Sequence, residues 1–247
     1  MSPAPVTAIE IRDLTKEFSL RRTRSMKEMV VWTARGRGKE LRSDFRALDR
    51  INLTVNEGET VALLGYNGSG KSTTLKLISG VYRPDAGTVK VRGRVAGLIE
   101  VGAGFHHDLT GRENVYLNGA ILGLTEEEIE ARYDDIVAFS EIEEFIDTEV
   151  KFYSSGMFLR LAFSVAVHSD PDVFLVDEIL SVGDEPFRRK CLARIQELKA
   201  MGHTLVIVTH DLDMVRTVVD RGVVLRKGVI VFDGPIAEAV EVLRAEE

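Results

Sequence analysis

One stretch decides more about this chain than any other: Gly65-Tyr66-Asn67-Gly68-Ser69-Gly70-Lys71-Ser72, set directly behind the apolar run Thr60 to Leu64. Its glycines let the backbone double back so that N–H groups point into a common hollow. The residues behind it, Ser72 to Ser79, read as a helix whose positive end closes that hollow. A glycine, four residues, then Gly-Lys-Ser between a strand and a helix is the pattern of a phosphate-binding loop. Gly65, Asn67, Gly68, Ser69, Gly70 and Thr73 are therefore candidates to surround nucleotide phosphates. Lys71 should reach the β and γ phosphates, and the Ser72 hydroxyl suits magnesium, a hard cation that takes oxygen ligands. Such a loop works only at the end of a buried strand, so it commits the chain to an α/β architecture.

The rest of the sequence agrees. Ile51 to Val55 alternates, Thr88 to Val91 follows the turn Pro84-Asp85-Ala86-Gly87, and Val173 to Val176 and Thr204 to Val208 are short apolar runs that suit buried strands. Between them, Thr125 to Asp147 reads as helical, with Thr125 and Glu128 placed as a capping box, and Phe187 to Ala200 and Ile236 to Ala245 read as further helices. Strands alternating with helices predict a mainly parallel sheet in a single domain over 1–247, with a helical portion at about 100–170.

Asp177-Glu178 follows the apolar strand Val173-Phe174-Leu175-Val176. A carboxylate at a strand end beside a phosphate loop can hold magnesium, commonly through water, and Asp177 takes that part. Glu178 is then placed to deprotonate the water that attacks a γ phosphate, a contribution of about two to four orders of magnitude in rate. The chain carries 32 basic and 39 acidic side chains, a net charge of -7, which argues against a nucleic-acid partner. Apolar runs stop at about four residues, far short of the roughly 18 that a spanning helix needs. The first ten residues do not resemble a secretory signal, and Cys191 is the only cysteine, so a cytoplasmic location is the expectation.

Taken in order, these motifs resemble the ATP-binding-cassette (ABC) ATPases. Tyr153-Ser154-Ser155-Gly156-Met157, followed by Leu161 to Ala166, is similar to the family's signature motif, and Thr209-His210-Asp211 to its switch histidine. The resemblance implies a P-loop NTPase of the ABC type, with a RecA-like parallel-sheet core, an antiparallel β subdomain and an α-helical subdomain. It implies ATP and Mg2+ as cofactors and a head-to-tail homodimer in which Ser154, Ser155 and Gly156 of one copy meet the γ phosphate held by the other. His210 would contact that phosphate and hold the attacking water with Glu178. Ser181 to Asp184 occupies the place of the loop that couples the two sites, and Phe18 that of the aromatic that stacks on adenine.

A finer resemblance, to the polysaccharide-exporter branch, rests on Glu100 where most members have glutamine, on Leu109-Thr110-Gly111-Arg112-Glu113-Asn114, and on the Tyr-Ser-Ser-Gly-Met signature. That branch moves lipid-linked O-antigen, teichoic acid or cell-wall galactan through a separate transmembrane permease, from the cytoplasmic face of the plasma membrane. Glu100 is open to two roles, magnesium through water or the permease interface. His107 departs from the family pattern, which has proline there. Between Ser19 and Arg46 nine basic residues stand against three acids, with Met26, Met29 and Val30 at helical spacing and Trp32 among them. This stretch reads either as a solvated insertion or as an element at the membrane interface. The sequence stops soon after its last helix, which implies an exporter that does not read a glycan cap through an appended carbohydrate-binding domain. The alternative function is an ABC exporter of a lipid or drug. Soluble cassette ATPases of translation or DNA maintenance resemble paired cassettes or carry coiled-coil insertions, which this sequence lacks.

Overall fold

The chain begins with a long antiparallel pair, β1 (Thr7–Arg21) and β2 (Arg42–Asn56), followed by the buried strand β3 (Thr60–Leu64) and helix α1 (Lys71–Ile78). Strands β4 (Ala86–Val91) and β5 (Val95–Gly97) lead to three helices, α2 (Gly111–Ile121), α3 (Glu126–Ser140) and α4 (Ser155–Val167). Then come β6 (Val173–Asp177), α5 (Glu185–Ala200), β7 (Thr204–Val208), α6 (Leu212–Val218), β8 (Arg221–Arg226), β9 (Val229–Pro235) and α7 (Ile236–Arg244). The structure is a computed structural model and describes residues 5–21, 42–97, 104–177, 184–209 and 211–245. Among these, no helix is long and apolar enough to cross a membrane.

Six strands form the main sheet in the order β5-β6-β7-β3-β8-β9, parallel except for the β8–β9 hairpin. Its central strands β3 and β7 are buried at every position because both faces are covered. Alternation shows only in which core each residue enters. Val61, Leu63, Leu175, Val206 and Val208 face a core shared with the three-stranded antiparallel sheet β2-β1-β4. Ala62, Leu64, Phe174, Val176, Leu205 and Ile207 face the opposite core, closed by α4, α5, α6 and α7. A third cluster, with Val115, Ile129, Ile136, Leu161 and Val165, holds α2 and α3 against α4. Helix α4 thus belongs to two cores: Leu161 and Val165 point to the helical cluster, while Phe163, Ala166 and Val167 point beneath the sheet.

Two sequence expectations are corrected here. The helix expected to run to Asp147 ends at Ser140, because Glu141 takes a left-handed backbone, φ 57°, and a short 3-10 turn at Glu143–Phe145 follows. The basic stretch from Ser19 to Arg46 is not wholly an insertion. Its ends continue the β1–β2 ladder, where Ser19 pairs with Asp44 and Arg46 binds both Glu17 and Asp49. The Met26, Met29, Val30 and Trp32 reading lies outside the described residues.

Candidate nucleotide site

Of the predicted residues, the Gly65 loop and Asp177 lie at the carboxyl edge of the main sheet. Asp177, the last residue of β6, pairs with Val208 at the end of β7, and Val208 pairs with Leu63 of β3. At about 4.8 Å per strand, Asp177 lies two strand spacings from the point where β3 gives way to the Gly65 loop. This is the edge at which open α/β sheets bind ligands.

The loop is held from several sides. Ser69 N donates to Tyr66 O at 3.1 Å, and Gly228 N, from the β8–β9 turn, donates to Ser69 O at 2.9 Å. Gly70 has φ 113°, and a β-carbon there would lie 2.6 Å from Leu48 Cδ2 and 3.0 Å from the Ala47 carbonyl, so β2 reaches the loop only because position 70 has no side chain. Lys71 is buried, and its ammonium donates to the Gly65 carbonyl at 2.8 Å and the Tyr66 carbonyl at 3.3 Å. The Tyr66 hydroxyl donates to Leu243 O in the last turn of α7 at 3.1 Å. Asn67 to Thr73, with Ser72 among them, line a hollow of about 160 Å³.

Helix electrostatics single out this loop and one other place. Of the six described helices with eight or more residues, α2, α3, α5 and α7 carry a glutamate in the first turn, which answers the positive end of the helix from within the protein. Helices α1 and α4 carry none. They begin at the phosphate loop and at the signature motif. Ser154 caps α4 by accepting from Met157 N at 3.2 Å, while Ser154 and Ser155 are exposed and Gly156 partly so. Two helix N-termini therefore carry no acid of their own, an arrangement that suits an external anion.

Phe18 is half-buried on β1, opposite Phe45 of β2, two residues ahead of the Ala47-Leu48 contact with Gly70. Tyr82 meets its ring edge-on at 5.5 Å between centroids, and the Lys16 ammonium lies 5.4 Å from the ring centre. Asp184 caps α5 by accepting from Phe187 N at 3.2 Å and also receives two hydrogen bonds from Arg160, at 2.9 and 3.0 Å. Glu100, Glu178, His210 and the segment Ser181 to Gly183 lie outside the described residues. Their described neighbours, Asp177, Asp184, Thr209 and Asp211, are those just given or flank the end of β7, where Asp211 N donates to Thr209 Oγ1 at 3.1 Å.

Sequence reasoning missed a second assembly. The stretch from His107 to Arg112 runs against Ile146 to Lys151 through main-chain bonds: Lys151 N to His107 O, Val150 N to Leu109 O, Gly111 N to Thr148 O and Arg112 N to Ile146 O, at 2.8–3.1 Å. This strap leads directly into the signature motif. His107, the departure from the family pattern, stacks on Phe158 of α4 at 6.2 Å and 14° between planes. Nothing local announces such pairing, because both partners are irregular. The capping box at Thr110 and Glu113, which starts α2 at the strap's end, was a usable signal.

A phosphate cradle on a mostly parallel sheet, with an antiparallel sheet on one side and a helical lobe opening at an exposed Ser-Ser-Gly, defines a nucleotide-binding cassette. The ABC transporter family model matches residues 48–181, and the chain belongs to that family. It is 49% identical over 218 residues to the O-antigen export system ATP-binding protein of Myxococcus xanthus, taking in 86% of this chain and 50% of that protein, so it spans half the length of that relative. To the O-antigen export system ATP-binding protein of Klebsiella pneumoniae it is 43% identical over 215 residues, 86% of this chain and 87% of that one. To the teichoic acids export ATP-binding protein of Levilactobacillus brevis it is 43% identical over 213 residues, 86% of this chain and 58% of that one. Among solved structures, the ATP-binding subunit of an ABC transporter superposes with a TM-score of 0.77 at 24% identity, covering 97% of this chain and 99% of that chain. A dimeric cassette bound to ADP and phosphate gives 0.74 at 23% identity, covering 92% and 98%. These two share the fold.

Proposed function

We propose that this chain is the ATP-hydrolysing subunit of an ABC transporter that exports a lipid-linked polysaccharide across the cytoplasmic membrane. It would act as a homodimer on the cytoplasmic face, with a separate transmembrane permease. The observation that carries the reading is the pair of helix N-termini without first-turn acids, one at the phosphate loop and one at the signature motif. Relatives named for O-antigen and teichoic acid export support the substrate class. Phe145 and Phe152, which flank the strap and are 47% and 70% exposed, support contact with a partner outside the chain.

In this reading Asn67 to Thr73 surround the phosphates, and Lys71 exchanges the Gly65 and Tyr66 carbonyls for phosphate oxygens. The Ser72 hydroxyl and the Asp177 carboxylate, oxygen donors of the kind Mg2+ takes, would hold the ion, which would neutralise phosphate charge. Glu100 keeps its two roles, water-mediated magnesium binding or the permease interface. Phe18 offers a ring face to adenine. Ser154, Ser155 and Gly156 act on the γ phosphate held by the other copy, and Asp184 closes the loop between the two sites. Glu178 takes the proton from the attacking water, which His210 helps to hold.

The test is to deplete the protein in its host, then extract and size lipid-linked glycans on the cytoplasmic side. The expected result is an accumulated polymer, cleared by the parent chain but not by Glu178→Gln. Hydrolysis of ATP without glycan accumulation would overturn the polysaccharide assignment. A purified parent chain without ATPase activity would overturn the enzymatic one.

A further inference from the structure

We propose that Arg160 is the positioning residue that fixes the signature end of α4 to the nucleotide core, and so sets the rate of hydrolysis without setting nucleotide affinity. This rests on the function proposed above. Helix α4 enters the core beneath the sheet only from Phe163 onward. Its first turn and a half, with Ser155 and Gly156, has no apolar footing there, and Met157 and Tyr153 pack instead against the helical cluster.

Arg160 bridges that gap. One guanidinium nitrogen donates to Glu141 Oε2 at 2.7 Å, at the left-handed residue that ends α3, and another donates to both Asp184 oxygens at 2.9 and 3.0 Å, at the cap of α5. The guanidinium carbon lies 4.7 Å from the centre of the Phe187 ring, and the side chain is only 18% exposed. Lys190 draws Glu141 from the other side at 3.0 Å, and its ammonium also reaches the Phe139 carbonyl at 2.9 Å. One planar cation thus joins α3, α4 and α5. Charge-assisted and stacked contacts are the stronger and more directional of their kind.

The consequence follows from where the two functions sit. The phosphate loop that captures ATP belongs to β3 and α1, which Arg160 does not touch. The signature donors sit on the first turn of the helix whose tilt Arg160 holds. Misplacing reacting or stabilising groups by about 1 Å can cost up to about a hundredfold in rate.

The experiment compares steady-state ATPase kinetics and thermal unfolding of the full-length parent, Arg160→Lys and Glu141→Gln. Lysine keeps the charge but cannot lie flat on Phe187 while holding both carboxylates. Glu141 lies away from the nucleotide elements, so its variant loosens the tie without touching the site. For Arg160→Lys we expect kcat to fall about tenfold with KM for MgATP within about twofold, and for Glu141→Gln a smaller fall with the same split. Parental kcat in Arg160→Lys overturns the role. So does a rise in KM that accounts for the loss, or a loss that merely tracks the fraction unfolded. A parent chain that hydrolyses no ATP removes the proposed function and this role together.

Discussion

The phenolic oxygen of Tyr153 occupies the space that a side chain on Gly111 would need: a β-carbon at position 111 would lie 2.1 Å from it. The same hydroxyl donates to the Phe145 carbonyl at 2.8 Å, and burial pushes its pKa up to about 12, so it stays a neutral donor under ordinary conditions. The Ile146 carbonyl, 3.0 Å from the same point, closes the other side. Gly111→Ala is expected to cost about 1–3 kcal/mol through overpacking, and Tyr153→Phe about 1 kcal/mol through the lost hydrogen bond. In the double variant the penalties should overlap, because removing the oxygen makes room for the methyl. Denaturant midpoints of the four proteins measure this, and strictly additive losses would refute the contact.

Gly70→Ala should damage the phosphate loop at its root. A β-carbon there meets Leu48 Cδ2 at 2.6 Å, and φ 113° is strained for any L side chain. The expected cost is about 2 kcal/mol or more, together with loss of the rise in Tm that MgATP gives the parent. A variant that kept the full ligand-induced shift would show that the loop tolerates the movement.

Acid should weaken the fold through carboxylates held by donors. The Glu141 carboxyl is held below its ordinary range by its hydrogen bond from Lys190 and then by Arg160, and that of Glu185 by Arg188 and Arg189. A lowered folded pKa contributes stability that is fully present above the unfolded value, 4.5 for glutamate, and is lost as pH falls through the lower folded value. Urea midpoints should therefore hold steady from about pH 7 to about pH 5 and drop below that. Glu141→Gln should show a shallower drop. Parallel curves for parent and variant would remove Glu141 from the cause.

Cys191 packs among Phe187, Ile195 and Leu198, and burial pushes its thiol up to about 12. Native protein at about pH 8 should resist an aromatic disulfide reagent for as long as it stays folded, then react with one equivalent in denaturant, because the thiolate is the nucleophile. Rapid labelling of the native chain would contradict this packing.

What could be read from the sequence was what short-range chemistry dictates. Thr60–Leu64 and Thr204–Val208 are strands at the expected bounds, since an uninterrupted apolar run of that length has nowhere to go but the middle of a sheet. The start of α3 was legible in Thr125 and Glu128, which form the expected reciprocal cap. Its end was not, because it depends on Glu141 adopting a left-handed backbone at the junction where Arg160 and Lys190 meet its carboxylate. Strand β1 escaped notice because its ladder slips several times, between Ile11 and Leu14 and again toward Lys16, which breaks the period-two pattern. In the candidate site, the loop from Gly65 to Ser72 announced itself. Arg160 did not, since its partners are 19 and 24 residues away in the chain.

The strap between His107 and Lys151 is made of amides and carbonyls. Every residue but proline offers that pair of groups, so these bonds by themselves ask little of the side chains, whereas Gly111, Thr110 and His107 are held by their own contacts. A surface strung this way can change its exposed side chains while the main-chain path that leads to Ser154 and Ser155 stays the same. Surface and support are thereby separable in this lobe: the first is written in exposed side chains such as Phe145 and Phe152, the second in the backbone between them. On the function proposed above, exchanging those exposed side chains should change partner binding and leave the ATPase rate of the isolated chain unchanged.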